Sequence, residues 1–181
     1  MISKHLKFIL LPYLSVIFSQ EVKWMSIGDL HNWYSAAGSE IEVGRTGQVS
    51  DQQDGLRYPA FYRVQDNQAA KGLWLGASNF YDPVVNKNYD KKVVHAGPRH
   101  LDIENETMPV SITMDGKYDH PNVFVDGDPA TNLQYLDYVD NVDPNLESDR
   151  RINNIVQTSL GVQMKRTIYA FAHPDHQNYH I

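Results

Sequence analysis

Residues 152–171 constrain the fold more than any other stretch. Residues 152–158, then Ser159-Leu160-Gly161, then residues 162–171 read as two extended segments joined by a short turn, a β-hairpin pattern. On the second segment Val162, Met164, Ile168 and Ala170 share one face, with Arg166 interrupting it. Gln163, Lys165, Thr167, Tyr169 and Phe171 share the other. A hairpin with one apolar face needs a second layer to cover that face.

Further strand signals surround it. Residues 70–77 and 89–96 form a second hairpin, with its turn running from Asp82-Pro83 to Lys87-Asn88. Residues 108–114 alternate well and end at Asp115-Gly116. Residues 122–125 are a short strand before Asp126-Gly127-Asp128-Pro129, and another strand begins at 178–181. Residues 44–68 read as a long polar loop with a short extended piece at 60–64, and the acidic, turn-rich segment 126–151 covers one end of the fold. One helix is expected over 27–37, because Leu30, Trp33, Tyr34 and Ala37 fall at i, i+3, i+4 and i+7, with Asp29 as cap and Gly38 as stop. The expected fold class is therefore mostly β: antiparallel sheets, sandwich-like, with one short N-terminal helix. The strand signal at 178–181 stands at the end of the sequence with no closing turn. It reads as a sheet incomplete at its C-terminal edge, in a chain cut from a longer protein, and an open edge there is an aggregation hazard.

The beginning of the chain carries different information. Lys4 and Lys7 precede an apolar run at 8–18, and Ser19-Gln20-Glu21 returns to polar sequence, which is the layout of a secretory signal peptide. The run is shorter than the roughly 20 apolar residues a membrane span needs. Cleavage after Ser19 leaves a single β-rich domain at 20–181, long enough for a real core. Losing Lys4 and Lys7 and no acid takes the formal charge from −6 to −8. A chain of that sign has no electrostatic footprint for nucleic acid, and no second apolar span is present to insert into a membrane. The chain has no cysteine, which in an exported domain is a bacterial pattern and leaves burial to stabilise the core. The expected location is secreted or at the cell surface.

Several phrases also resemble one group of proteins: KWMSIGDLHNWYSAAGSEIE at 23–42, DGLRYPA at 54–60, AKGLWLG at 70–76, YDKKVVHAGPR at 89–99, VFVDG at 123–127 and SLGVQMKRTIYAF through HQNYHI at 159–181. They resemble the N-terminal region of large uncharacterised secreted proteins of Marinimicrobia- and Ignavibacteria-type bacteria, over nearly all of the mature chain. Many of those proteins carry a C-terminal sorting domain for type IX secretion. The resemblance implies the front part of an extracellular or surface protein, and it carries over no catalytic residues. Of the histidines near the end, only His176, with Asn178-Tyr179, matches the usual pattern of the group.

Three constellations bear on chemistry. His173, His176 and His180 are metal-ligand types at short spacing and form a zinc candidate. Pro174 opposes the helix that would bring all three together, and on a strand only His176 and His180 share a face. Asp126, Asp128 and Asn132 form a calcium candidate that lacks the third carboxylate and the bidentate Glu of a tight calcium loop; Asx-turn chemistry explains the same residues. Glu40, Glu42, Asp51 and Asp54 lie near Trp24, Trp33 and Tyr34, rings able to stack on a sugar, but nothing in the sequence sets two carboxylates across a cleft. Ser159 stands outside any G-x-S-x-G elbow, and there is no phosphate loop or dinucleotide fingerprint. No resident cofactor is expected beyond the calcium candidate. Two functional classes follow. The first is a non-catalytic extracellular or cell-surface β module serving adhesion, glycan contact or assembly, with a glycan or surface partner. The second is the N-terminal part of a secreted hydrolase whose active site lies beyond residue 181.

Overall fold

The clearest hairpin of the sequence forms two neighbouring strands of the largest sheet among the described residues. A computed structural model describes residues 21–41, 56–61, 67, 70–95, 106–119, 124–129 and 137–181; the signal peptide expected at 1–19 lies outside them. The described residues form strands and turns, with no α-helix among them. In chain order the strands are β1 (Val22–Met25), β2 (Asn32–Ser35), β3 (Glu40–Ile41), β4 (Ala70–Lys71), β5 (Trp74–Asp82) and β6 (Lys87–His95). They continue with β7 (Thr107–Gly116), β8 (Phe124–Val125), β9 (Asp128–Pro129), β10 (Asn141–Val142), β11 (Arg150–Thr158) and β12 (Gln163–Ala170).

The main sheet has the order β10-β7-β11-β12, antiparallel except for the short parallel pair β10/β7. Strand β11 alternates buried and half-buried along its whole length, as a strand with one covered face must. Its turn to β12 closes through Gly161, at φ 76 in the left-handed region that glycine enters without strain. The register of β11 against β7 shifts between Ile155 and Val156, where Val156 meets Pro109 and Ile155 meets Ser111, leaving Val110 as the extra residue of a bulge. Pro109 has no N–H to give, and β10 pairs with β7 only at Asp115 and Gly116, so no described strand lies on the other side of β7 at Pro109.

A second layer covers the sheet. Met114, Ile152 and Ile168 are opposite one another on three neighbouring strands. Together with Ile112 and Ala170 they pack against Met25, Ile27, Tyr34 and Ala36 from the β1/β2 segment. Met25, Met114 and Ile152 are completely buried, and each such side chain contributes about 1.5–3 kcal/mol. The described sheets are open and antiparallel in the main, and the main sheet and the β1/β2 hairpin pack face to face as two layers.

The helix expected at 27–37 is instead part of a β-hairpin: β1 pairs with β2, with Trp24 opposite Trp33. The physical reason is burial on both faces. Met25 and Tyr34 face the main sheet, while Trp24 and Trp33 lie on the opposite face, where the Arg57 guanidinium sits 5.2 Å above the Trp24 ring. All four residues of β2 are buried, so the period-2 alternation that marks a half-covered strand is missing, and the apolar spacing imitates a helix. Gly28, at φ 74, lies in the turn between β1 and β2, and Gly38, at φ 94, follows β2.

Two further hairpins form sheets of their own. In β5/β6 the Asp82 carboxylate accepts from the Val84 and Val85 amides and holds Lys92 Nζ at 2.7 Å, across the turn expected from the sequence. In β8/β9 the turn is Asp126-Gly127, both with positive φ (52 and 91), as a two-residue type I′ turn requires.

Candidate functional site

Arg166, the residue that interrupts the apolar face of β12, is the centre of the best-built polar site. It lies inward on β12 between Met164 and Ile168, opposite Asn154 of β11. An inward guanidinium must find partners there or carry a large desolvation cost. Its Nη2 donates to Ser35 O and to Asn154 Oδ1, each at 3.2 Å, and the group lies 5.5 Å above the Tyr34 ring. Its Nη1 is 3.8 Å from Glu40 Oε1. Asn154 is itself buried and donates to Ala36 O and Ser111 O, each at 3.0 Å.

Glu40 is delivered by β3, which pairs with β4 so that Glu40 and Lys71 are directly opposite. Lys71 Nζ lies 3.3 Å from Glu40 Oε1, and Asn32 donates to Oε2 at 2.9 Å. The Lys71 side chain is 68% exposed, against 11% for Glu40. The Lys71 contact is therefore a screened one that contributes little and is easily exchanged.

Burial pushes the Arg166 guanidinium below its ordinary value, against the opposing pull of Glu40 and Tyr34. Burial, and after it the Glu40 carboxylate, pushes the Tyr34 phenol well above its usual range, so Tyr34 stays protonated. Its oxygen lies 2.7 Å from His180 Nδ1. Burial holds His180 down to about 4, so the imidazole is neutral near pH 7 and shares the Tyr34 hydrogen bond as an uncharged ring.

Above this layer lies a cleft of about 490 Å³, within the range of small ligand sites. One wall is the run 164–167 of β12, and the other is Gly38, Glu40 and residues 71–73. Consecutive strand residues point to opposite faces, so a cleft touching four in a row runs along the edge of the strand. The lining holds three cations, Lys71, Lys165 and Arg166, and one acid, Glu40.

The residues singled out from the sequence are distributed as follows. Glu40 is in the cleft; Glu42, Asp51 and Asp54 lie outside the described residues. His180 is part of the layer under the cleft, through Tyr34. His173 and His176 are exposed, with ring centroids 5.9 Å apart. His173 Nδ1 accepts from the Asp175 amide, and His176 Nδ1 is bonded to the Tyr179 hydroxyl. His180 is thus directed to a different place from the other two. Asp126 and Asp128 belong to the β8/β9 hairpin, and Asn132 lies outside the described residues. Among the described residues, no three His, Asp or Glu side chains converge as a metal centre requires.

Arg166 and Lys71 were not picked out from the sequence. For Arg166 a signal existed, since a charge at an inward position of an otherwise apolar strand face needs buried partners. For Lys71 there was none, because its role depends on a two-residue strand pairing across 30 positions of chain. Comparison with protein-family models, curated proteins and solved structures finds no match to this chain.

Proposed function

We propose that this chain is an exported, non-catalytic β module that acts by contact, and that the cleft beside β12 is its surface for an anionic partner. The carrying observation is the charge of the cleft: Lys71, Lys165 and Arg166 against Glu40, in a protein whose formal charge is −6. A local excess of cations on an acidic protein steers anions to one place and repels them elsewhere. The basic start and apolar run of residues 1–19 support export. Adhesion to, or assembly on, a cell surface bearing acidic polymers fits both features.

The test uses the full chain and two anionic probes, alginate and polyglutamate, with neutral dextran as control. Binding to at least one anionic probe, falling steeply with salt, is expected. Lys71→Glu with Lys165→Glu reverses two exposed charges and is expected to weaken it by about tenfold or more. Absence of binding to both polyanions, or equal binding by the reversed variant, rejects the reading.

A further inference from the structure

Among the described residues, no strand pairs with the edge of β12 beside the cleft. Asp149 and Thr158 donate their amides to Ala170 O and Val162 O, so the even-numbered residues of β12 direct their backbone groups toward β11. By antiparallel alternation the odd-numbered residues Gln163, Lys165, Thr167 and Tyr169 direct theirs to the open edge. That edge is already used once: Tyr169 N donates to Ile181 O at 2.8 Å, and Ile181 N donates to Tyr169 O at 3.0 Å. This exchange of both bonds between two residues is the hydrogen-bonded pair of an antiparallel ladder. Among the described residues nothing else is bonded to that edge, and the donors and acceptors of 163–167 face the cleft region, over roughly 17 Å of strand.

Cleft and edge coincide, since the run 164–167 lines one and forms the other. We propose that this cleft is a docking groove for an extended polypeptide that adds to β12 as an antiparallel strand and turns an acidic side chain toward Lys71 and Arg166. The inference rests on the anionic-partner reading and narrows it to a polypeptide. Main-chain bonds to Thr167, Lys165 and Gln163 supply affinity, and the alternate side chains supply choice. The register continues from the Tyr169–Ile181 pair. The partner residue opposite Arg166 shares its inward face, and there an acid meets two cations against the single carboxylate of Glu40.

The experiment measures binding of the full chain to a short synthetic peptide that alternates Thr and Val around one Glu. N-methylation of the two residues flanking the Glu removes the amides that face β12, and binding is expected to be lost. N-methylation of the Glu itself removes an amide that points away, and binding is expected to remain within about threefold. Binding is also expected to slow hydrogen exchange of the Lys165 and Thr167 amides. Equal effects of the two methylation patterns overturn strand addition. So does failure of the parent peptide to bind while alginate or polyglutamate still binds, which leaves the anionic-partner reading standing. Failure of all three probes removes both readings. Dimerisation of the chain without peptide, with the Lys165 and Thr167 amides protected in the dimer, assigns the groove to a second copy and overturns the partner peptide.

Discussion

Tyr34 and His180 are 146 residues apart in sequence and share a hydrogen bond of 2.7 Å. The bond ties the segment after β12 to the β1/β2 layer, beside the Glu40–Arg166 contact. It is joined there by Asp29 N donating to Gln177 O at 2.8 Å and by the Tyr58 hydroxyl donating to Asn178 Oδ1 at 3.4 Å.

That arrangement makes stability depend on pH. His180 titrates at about 4 in the folded chain, held down by burial, against 6.5 unfolded. His31 is also lowered by burial. Between pH 4 and 6.5 the unfolded chain therefore binds protons that the folded chain excludes, and stability rises with pH across that window. The contribution of His180 is complete above pH 6.5 and is lost as pH falls toward 4, by at most about 3 kcal/mol. Melting temperatures at pH 7 and pH 4.5 are expected to differ by several degrees, and His180→Gln is expected to narrow the gap. An unchanged gap in the variant assigns the dependence elsewhere.

Strand β11 gives a test of which face is covered. Ile152 is fully buried between Met114 and Ile168, and Ile155, on the opposite face, is only half-buried. Ile152→Ala is expected to cost about 3–4 kcal/mol, by lost burial plus the cavity it leaves. Ile155→Thr is expected to cost less than about 1 kcal/mol. Urea denaturation of both variants measures this, and similar costs would reverse the assignment of inner and outer faces.

The parts of the fold that could be read in advance are those with one covered face. Strands β11 and β12 alternate because one side meets the core, and β5/β6 is bounded by Pro83 and Asn86 at its turn. The β1/β2 segment could not be read this way, because its partner on each side comes from distant sequence: Ile112, Ile152 and Ile168 on one side and Arg57 on the other. No local pattern reports burial that depends on two remote surfaces. The site was half legible for the same reason. Glu40, Tyr34 and His180 each attracted notice, as a carboxylate, an aromatic and a ligand type. Their meeting required β2 to be a strand, and required the segment after β12 to return beside it.

Gly28 and Gly161 separate backbone strain from collision. Both have positive φ, 74 and 76. A Cβ on Gly161 would meet nothing within 4 Å, whereas one on Gly28 would lie 2.6 Å from Gln177 O and 2.9 Å from its Cα. Gly161→Ala is expected to cost about 1 kcal/mol, the strain of the left-handed conformation alone. Gly28→Ala is expected to cost about 2 kcal/mol more, because Gln177 must move and the Asp29–Gln177 bond goes with it. Thermal denaturation ranks the two, and faster hydrogen exchange at Asp29 in the Gly28 variant identifies the cause. Equal costs would show that the C-terminal segment does not lean on this turn.

The Glu40–Arg166 contact makes the two partners unequal. Without Arg166, Glu40 keeps Asn32 and Lys71 as donors. Without the Glu40 charge, Arg166 keeps only neutral partners: Ser35 O, Asn154 Oδ1 and the Tyr34 ring. Leaving a largely buried cation without an opposite charge costs more than leaving a carboxylate that still faces a lysine. Glu40→Gln is therefore expected to destabilise by about 2 kcal/mol and Arg166→Met by about 1 kcal/mol. The double variant is expected to be no worse than Glu40→Gln alone, because the stranded charge is gone. A double-mutant cycle by urea denaturation measures all three. Simple additivity would mean that the 3.8 Å contact carries no coupling and that Arg166 is held by its neutral partners.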